Sequence, residues 1–119
     1  MTGQQRSFLK GLAQTRKPLS QLGKEGITDA FLSDLDRMLE QHELVKISIL
    51  ESFPGELKEA AETIVSRSDA EFVQLIGRKL VIYRQSRTNP ELEIPGADNK
   101  RVYANRHRKE QQKLAKRRK

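Results

Sequence analysis

Leu44-Val45-Lys46-Ile47-Ser48-Ile49-Leu50 is a short run in which Val45, Ile47 and Ile49 alternate with Lys46 and Ser48. A period of two in β-branched residues is the pattern of a strand with one face in a core and one face out of it. What flanks the run sets the class of fold. Upstream, Ile27, Phe31, Leu35, Met38 and Leu39 recur at helical spacing, with Asp34, Asp36, Arg37 and Glu40 on the solvated side. This predicts a helix from Thr28 or Asp29 to about Gln41, with Thr28 as its N-cap, Asp29 near the positive helix end and His42 at the C-terminal end. Downstream, Phe53-Pro54-Gly55 is a turn, and Leu57, Ala60, Ala61, Ile64 and Val65 mark a further helix over residues 56–67.

Two more strands follow, residues 71–76 and 80–84, separated by Gly77-Arg78-Lys79, a break short enough for an antiparallel hairpin. At the other end, Phe8, Leu9, Leu12 and Ala13 form an apolar stripe over residues 4–15, closed by Arg16-Lys17-Pro18. Residues 18–22 are extended and lead into Gly23-Lys24-Glu25-Gly26. The order is α-β-α-β-α-β-β. It predicts a single compact α/β domain, a four-stranded sheet packed by helices, with Phe31, Leu35, Ile47, Ile64, Val73 and Ile82 in the core. After Tyr83 the chain turns irregular, with Asn89-Pro90 and Pro95-Gly96. The expected division is a domain over residues 1–86 and an irregular linker with a basic tail over 87–119, the tail being disordered or helical only against a partner.

The 119 residues carry a formal net charge of +7, unevenly spread. Residues 100–119 hold ten Lys or Arg and one acid, a net +9; residues 1–99 hold thirteen and fifteen, a net −2. A slightly acidic folded part with a concentrated basic tail suggests a reader with a separate electrostatic anchor. Cysteine is absent, which excludes disulfides and cysteine-ligated metals. No apolar run is long enough to span a bilayer, and the N-terminus lacks the apolar stretch of a secretory signal, so a cytoplasmic protein is expected.

Three features carry candidate chemistry. Gly23-Lys24-Glu25-Gly26 precedes a helix, where glycines allow close approach of a phosphate and the helix end favours an anion. An ordinary strand-to-helix turn has the same look. Arg78 and Lys79 at the hairpin turn, with Arg84 and Arg87 beyond, suit a phosphate-contacting surface or a solvated turn. The tail offers Lys100, Arg101, Arg106, Arg108, Lys109, Lys113, Lys116, Arg117, Arg118 and Lys119 for phosphate neutralisation, and Tyr103 and His107 for stacking. It lacks the apolar face that a membrane-bound helix needs. Catalysis is not expected: His42 and His107 form no triad or metal-spaced cluster, and no GxxxxGK[ST] phosphate loop is present. Neither a metal nor a cofactor is expected.

Three blocks together, LKGLAQTRKPLSQLGKEGIT, LEQHELVKISI and EFVQLIGRKLVIYR, resemble the CRM domain (chloroplast RNA splicing and ribosome maturation) of the stand-alone bacterial YhbY type, in the family's order over roughly residues 4–86. The resemblance implies a fold like the C-terminal domain of bacterial translation initiation factor three. It implies RNA binding through a GxxG loop, here Gly23, Lys24, Glu25 and Gly26, and association with precursors of the large ribosomal subunit. Glu25 sets an acid between the loop glycines, which repels phosphate unless it points away. The expected RNA face joins this loop to Arg16, Lys17, Arg78, Lys79 and Arg84, in a monomer that does not engage membranes. The alternative is a protein-interaction module that uses its acidic helices, through Asp34, Asp36, Glu40 and Glu59, with the tail as a nonspecific anchor. DNA binding fits less well, since no helix combines an exposed basic face with base-reading side chains.

Overall fold

The structure is a computed structural model and describes residues 1–117. Its elements are α1 (Gly3–Gln14), β1 (Ser20–Leu22), α2 (Asp29–His42), β2 (Leu44–Ile49), α3 (Leu57–Ser68), β3 (Glu71–Ile76), β4 (Lys79–Tyr83) and α4 (Lys100–Arg117). The strands form one mixed sheet in the order β1-β2-β4-β3, with β1 parallel to β2 and the other pairs antiparallel. The expected α/β architecture with a four-stranded sheet is therefore the observed one.

The alternation in β2 sorts the two faces of the sheet. Val45, Ile47 and Ile49 join Leu80 and Ile82 of β4 and Leu22 of β1 under α2 and α3, where Leu35, Leu39, Ala60, Ala61 and Ile64 close the main core. The alanines of α3 allow the helix to lie close on the strands. Phe31 packs at the margin of this core and remains partly exposed, while Leu35, Ile47, Ile64, Val73 and Ile82 are fully buried. The opposite face carries a second, smaller cluster, in which Leu9 and Ala13 of α1 and Ile94 of the later segment cover Leu44, Val73, Val81 and Tyr83. Phe8, grouped by its spacing with that stripe, is instead exposed.

Local chemistry explains the element ends. Thr2 and Gln5 form a reciprocal capping box at α1. The Thr28 hydroxyl accepts the Phe31 amide at 3.0 Å and starts α2 as expected. α2 ends at Glu43, a non-glycine residue at φ 63°. Gly77, at φ 57°, occupies the first central position of the two-residue β3–β4 turn, where a type II′ hairpin requires a positive φ.

Beyond Tyr83 the chain folds back on the domain. Glu43 is almost wholly buried, and its carboxylate accepts three backbone amides, Ser86 at 2.9 Å, Glu91 at 2.7 Å and Leu92 at 2.9 Å. Glu40 accepts the Arg87 amide at 2.9 Å and the hydroxyls of Ser86 and Thr88. These bonds hold its carboxyl below the usual carboxylate range, the Arg87 amide first among them. The Lys100–Arg117 stretch is helical, and Val102 and Asn105 seat its first turns on this segment, Asn105 donating to Asn89 Oδ1 and Pro90 O at 2.9 Å. Arg118 and Lys119 of the basic tail lie outside the described residues.

Candidate nucleic-acid interface

The strand register decides which basic residues can act together. β1 runs towards Leu22, opposite Ile49, and β4 begins at Lys79, opposite Ser48 and Ile76. The Gly23–Gly26 loop and the Gly77–Lys79 turn therefore lie at the same end of the sheet. Leu50 donates to Leu22 O at 2.8 Å, and Ile49 donates to Arg78 O at 2.7 Å, which ties both features to the end of β2. A side chain at position 23 would meet Leu50 and Ser52 at 3.6 Å, so the loop lies against the turn that follows β2.

The loop is a tight turn. The Gly26 amide donates to Gly23 O at 3.1 Å, and Gly26 takes φ 77°. Lys24 and Glu25, at the turn, are both exposed. Their backbone amides donate to no protein group among the described residues. Thr28 already caps the following helix, so the donors free for an anion are those of the turn itself.

Below this end, on the α1 side of the sheet, Ser48 and Lys79 face one another, with Lys79 Nζ 2.7 Å from Ser48 Oγ. Lys46 stands two residues back along β2, about 7 Å by strand geometry, and opposite Val81. α1 covers only the far half of this face. Where it ends, Ala13, Arg16, Lys17, Leu19, His42, Leu44, Lys46 and Val81 line a groove of about 340 Å³. Arg16 leans on the carbonyls of His42 and Leu44 at 3.5 and 3.4 Å, long contacts that leave the guanidinium most of its donors. Lys79, Lys46, Lys17 and Arg16 thus lie on the α1 side of the sheet, and Lys24 stands at the end where Lys79 begins β4. Lys46 is not among the candidates expected from the sequence, although its alternation with Val45 and Ile47 already sets it on the face away from the main core.

The arginines divide differently from their sequence neighbours. Arg78 belongs to the loop end, but its Nε and Nη2 donate to Ile49 O at 2.8 Å and Leu50 O at 2.7 Å. It braces the end of β2 and keeps only part of its guanidinium for a ligand. Arg84 lies at the opposite end of the sheet, following Tyr83, the partner of Leu44. It pairs with Asp36 at 2.9 Å, approaches Glu40 at 3.9 Å and donates to Ser68 O at 2.8 Å, leaving its side chain about one-tenth exposed. The structure does not bring Arg84 to the other candidates. The same contacts correct the reading of Asp36 and Glu40 as merely solvated, because both are tied into the fold.

In α4 the cations are partly spent. Lys109 pairs with Glu91, and Arg106 with Glu93 at 3.7 Å. The Lys109 ammonium and the Asn89 amide hold the Glu91 carboxyl below its usual range. The Tyr103 hydroxyl donates to Glu93, a bond that raises its pKa, and Arg106 sits 5.8 Å from the centre of its ring. His107 is exposed.

A mixed sheet with helices on both faces, a glycine-flanked turn and a run of cations beside it define a small α/β binding domain. The comparisons with known proteins agree. Residues 1–84 match the family described as the CRS1 / YhbY (CRM) domain, and the chain belongs to that family, which is a binding rather than an enzymatic one. It is 35% identical over 95 residues to the Bacillus subtilis (strain 168) "Probable RNA-binding protein YqeI", a match covering 80% of this chain and 99% of the relative. It is 35% identical over 86 residues to a Haemophilus influenzae "RNA-binding protein", covering 72% and 87%. The solution structure of the Staphylococcus aureus protein SAV1595, described as "a putative RNA binding protein", superposes with a TM-score of 0.67 at 40% identity, over 80% of this chain and 99% of that one. No helix among the described residues is long and apolar enough to cross a membrane.

Proposed function

We propose that this protein binds RNA through its phosphate backbone and assists assembly of the large ribosomal subunit by associating with its precursors in the cytoplasm. One observation carries the reading. The turn that bears the unpartnered Lys24 and Glu25 amides opens at the same end of the sheet as Lys79, and the cations Lys46, Lys17 and Arg16 continue from there along one side. Amides and cations in such an array grip phosphates without reading bases, so shape and backbone are the recognised features. Family membership and the names of the matched relatives point to the same ligand class. Residues 1–86 form the RNA-binding unit on this reading, with 87–119 a linker and basic arm, and the protein acts as a monomer.

Gly23, Lys24, Glu25 and Gly26 then form the central contact, flanked by Lys79 and, through its remaining donors, Arg78. Arg16 and Lys17 extend the face, Lys46 joins it, and Arg84 supports the fold. The rival reading, a protein-interaction module built on acidic helices, loses Asp36 and Glu40 to intramolecular partners, and Asp34 pairs with Arg37 at 3.0 Å.

The test is binding of full-length protein to large-subunit rRNA fragments across a salt series. Lys24→Ala with Lys46→Ala removes two cations whose ammonium groups have no hydrogen-bond or ion-pair partner among the described residues. It should weaken binding roughly tenfold and flatten the slope of log K against log salt by about 1.4 to 1.8, from about 0.7–0.9 per phosphate contact. Unchanged affinity would remove the loop-centred face. Arg78→Ala is unsuitable as the sole variant, because it also removes the side-chain donor on Ile49 O and one of the two donors on Leu50 O.

A further inference from the structure

The segment after β4 and the first turns of α4 enclose a groove of about 250 Å³, lined chiefly by Arg87, Thr88, Pro90, Arg101, Asn105 and Arg108. Arg101 and Arg108 are seven residues apart and share one stripe of the helix. Their guanidiniums are held in place by neutral acceptors. Arg101 donates to Gln85 Oε1 at 3.0 Å and to Arg87 O at 2.6 Å, and Arg108 donates to Asn105 Oδ1 at 2.6 Å. The Arg87 side chain has no protein partner among the described residues, and none of the three arginines lies within 4.0 Å of a carboxylate there. Acids are present nearby but serve other groups. Glu91 and Glu93 pair with Lys109 and Arg106 on the opposite flank of α4, and Glu40 is taken by Arg84, Ser86, Thr88 and the Arg87 amide.

Two oriented guanidiniums and the Arg87 side chain around one groove, with no carboxylate paired to them among the described residues, repel one another and present donors in the fork geometry that suits phosphate oxygens. We propose that this arginine groove is a second phosphate site, taking a phosphodiester of the same RNA at the end of the sheet opposite the Gly23–Gly26 loop. The inference rests on the RNA-binding reading above and adds a defined site where charge alone suggests only a diffuse anchor. The groove lies beyond residue 84, outside the family match.

The test follows arginine Nε–H and backbone amide signals of the full-length protein by NMR during titration with a short RNA hairpin and, separately, with inorganic phosphate. The hairpin should shift the Arg87, Arg101 and Arg108 signals together with the Lys24 and Glu25 amides, and should displace phosphate from the groove. Arg87→Glu, which breaks no side-chain bond of the fold, should weaken the hairpin about tenfold, as expected for one charge-assisted contact. Lys113→Glu, with the same change of charge on the exposed part of α4, should weaken it only about twofold, because an exposed charge is screened. Equal losses in the two variants would reduce the groove to part of a uniform charge and overturn the proposal. So would loop shifts without arginine shifts, or phosphate that occupies the groove and resists the hairpin. Absence of shifts at both places would overturn the RNA-binding reading as well.

Discussion

Replacing Glu43 by glutamine should release the C-terminal part of the chain while the sheet stays folded. One Glu43 oxygen accepts Glu91 N and Leu92 N, and the other accepts Ser86 N. Glutamine can supply an oxygen for the first pair, but its amide nitrogen then confronts the Ser86 donor. One charge-assisted bond is lost, worth about 1.5–3 kcal/mol, and a buried amide is left unsatisfied at about 1–3 kcal/mol. The charge supporting the other two bonds goes as well. Partial solvation of the loosened segment offsets some of this, so a net loss of about 2–3 kcal/mol is expected. Hydrogen exchange measures it residue by residue. Protection of the Ser86, Glu91 and Leu92 amides should fall by about 30-fold or more, since each 1.4 kcal/mol is a factor of ten, whereas the amides of β2 and β4 should change little. Unchanged protection at those three amides would show that the carboxylate does not hold the segment. A uniform loss across the sheet would show that the segment and the domain unfold as one unit.

Two further outcomes follow from burial and titration. Ile64→Ala removes a fully buried side chain from the core beneath α3 and should destabilise the protein by about 2–5 kcal/mol in denaturant titration, without changing what the folded fraction binds. Glu40 and Glu91 both have carboxyl pKa values below the ordinary 4.5. The stability they add is therefore present above pH 4.5 and lost as pH falls through their folded values. Acid titration should loosen the segment containing Ser86 and Thr88 and the seating of α4 before the sheet opens, visible as an early loss of NMR dispersion at those residues. Simultaneous loss throughout the protein would contradict that order.

Much of the fold was legible because the core obeys simple periods. Alternation in residues 44–50 placed β2, helical spacing placed α2 and α3, and Thr28 capped α2 as its side chain suggests. Lys46 was equally legible as an outward residue, but its role needed α1 to end where it does and leave that half of the sheet open. The candidate loop could be located by its glycines, and its proximity to Lys79 could not, because that follows from β1 pairing parallel to β2 while β4 pairs antiparallel.

By itself the sequence determined the order of the first seven elements, the core-facing side of β2, the family and the concentration of charge near the C-terminus, all of which depend on local spacing or composition, but not the helix α4. Only the tertiary structure decided which charges are free. Arg84 is held by Asp36 and Ser68, from other parts of the chain, and Arg78 braces β2, whereas Arg87, Arg101 and Arg108 meet around one groove. Glu43 shows the same limit most clearly, since its partners lie more than forty residues away and nothing local marks it as buried. An ionic side chain's role is set by the partners that folding brings within about 4 Å, and that distance is not written in the spacing of residues along the chain.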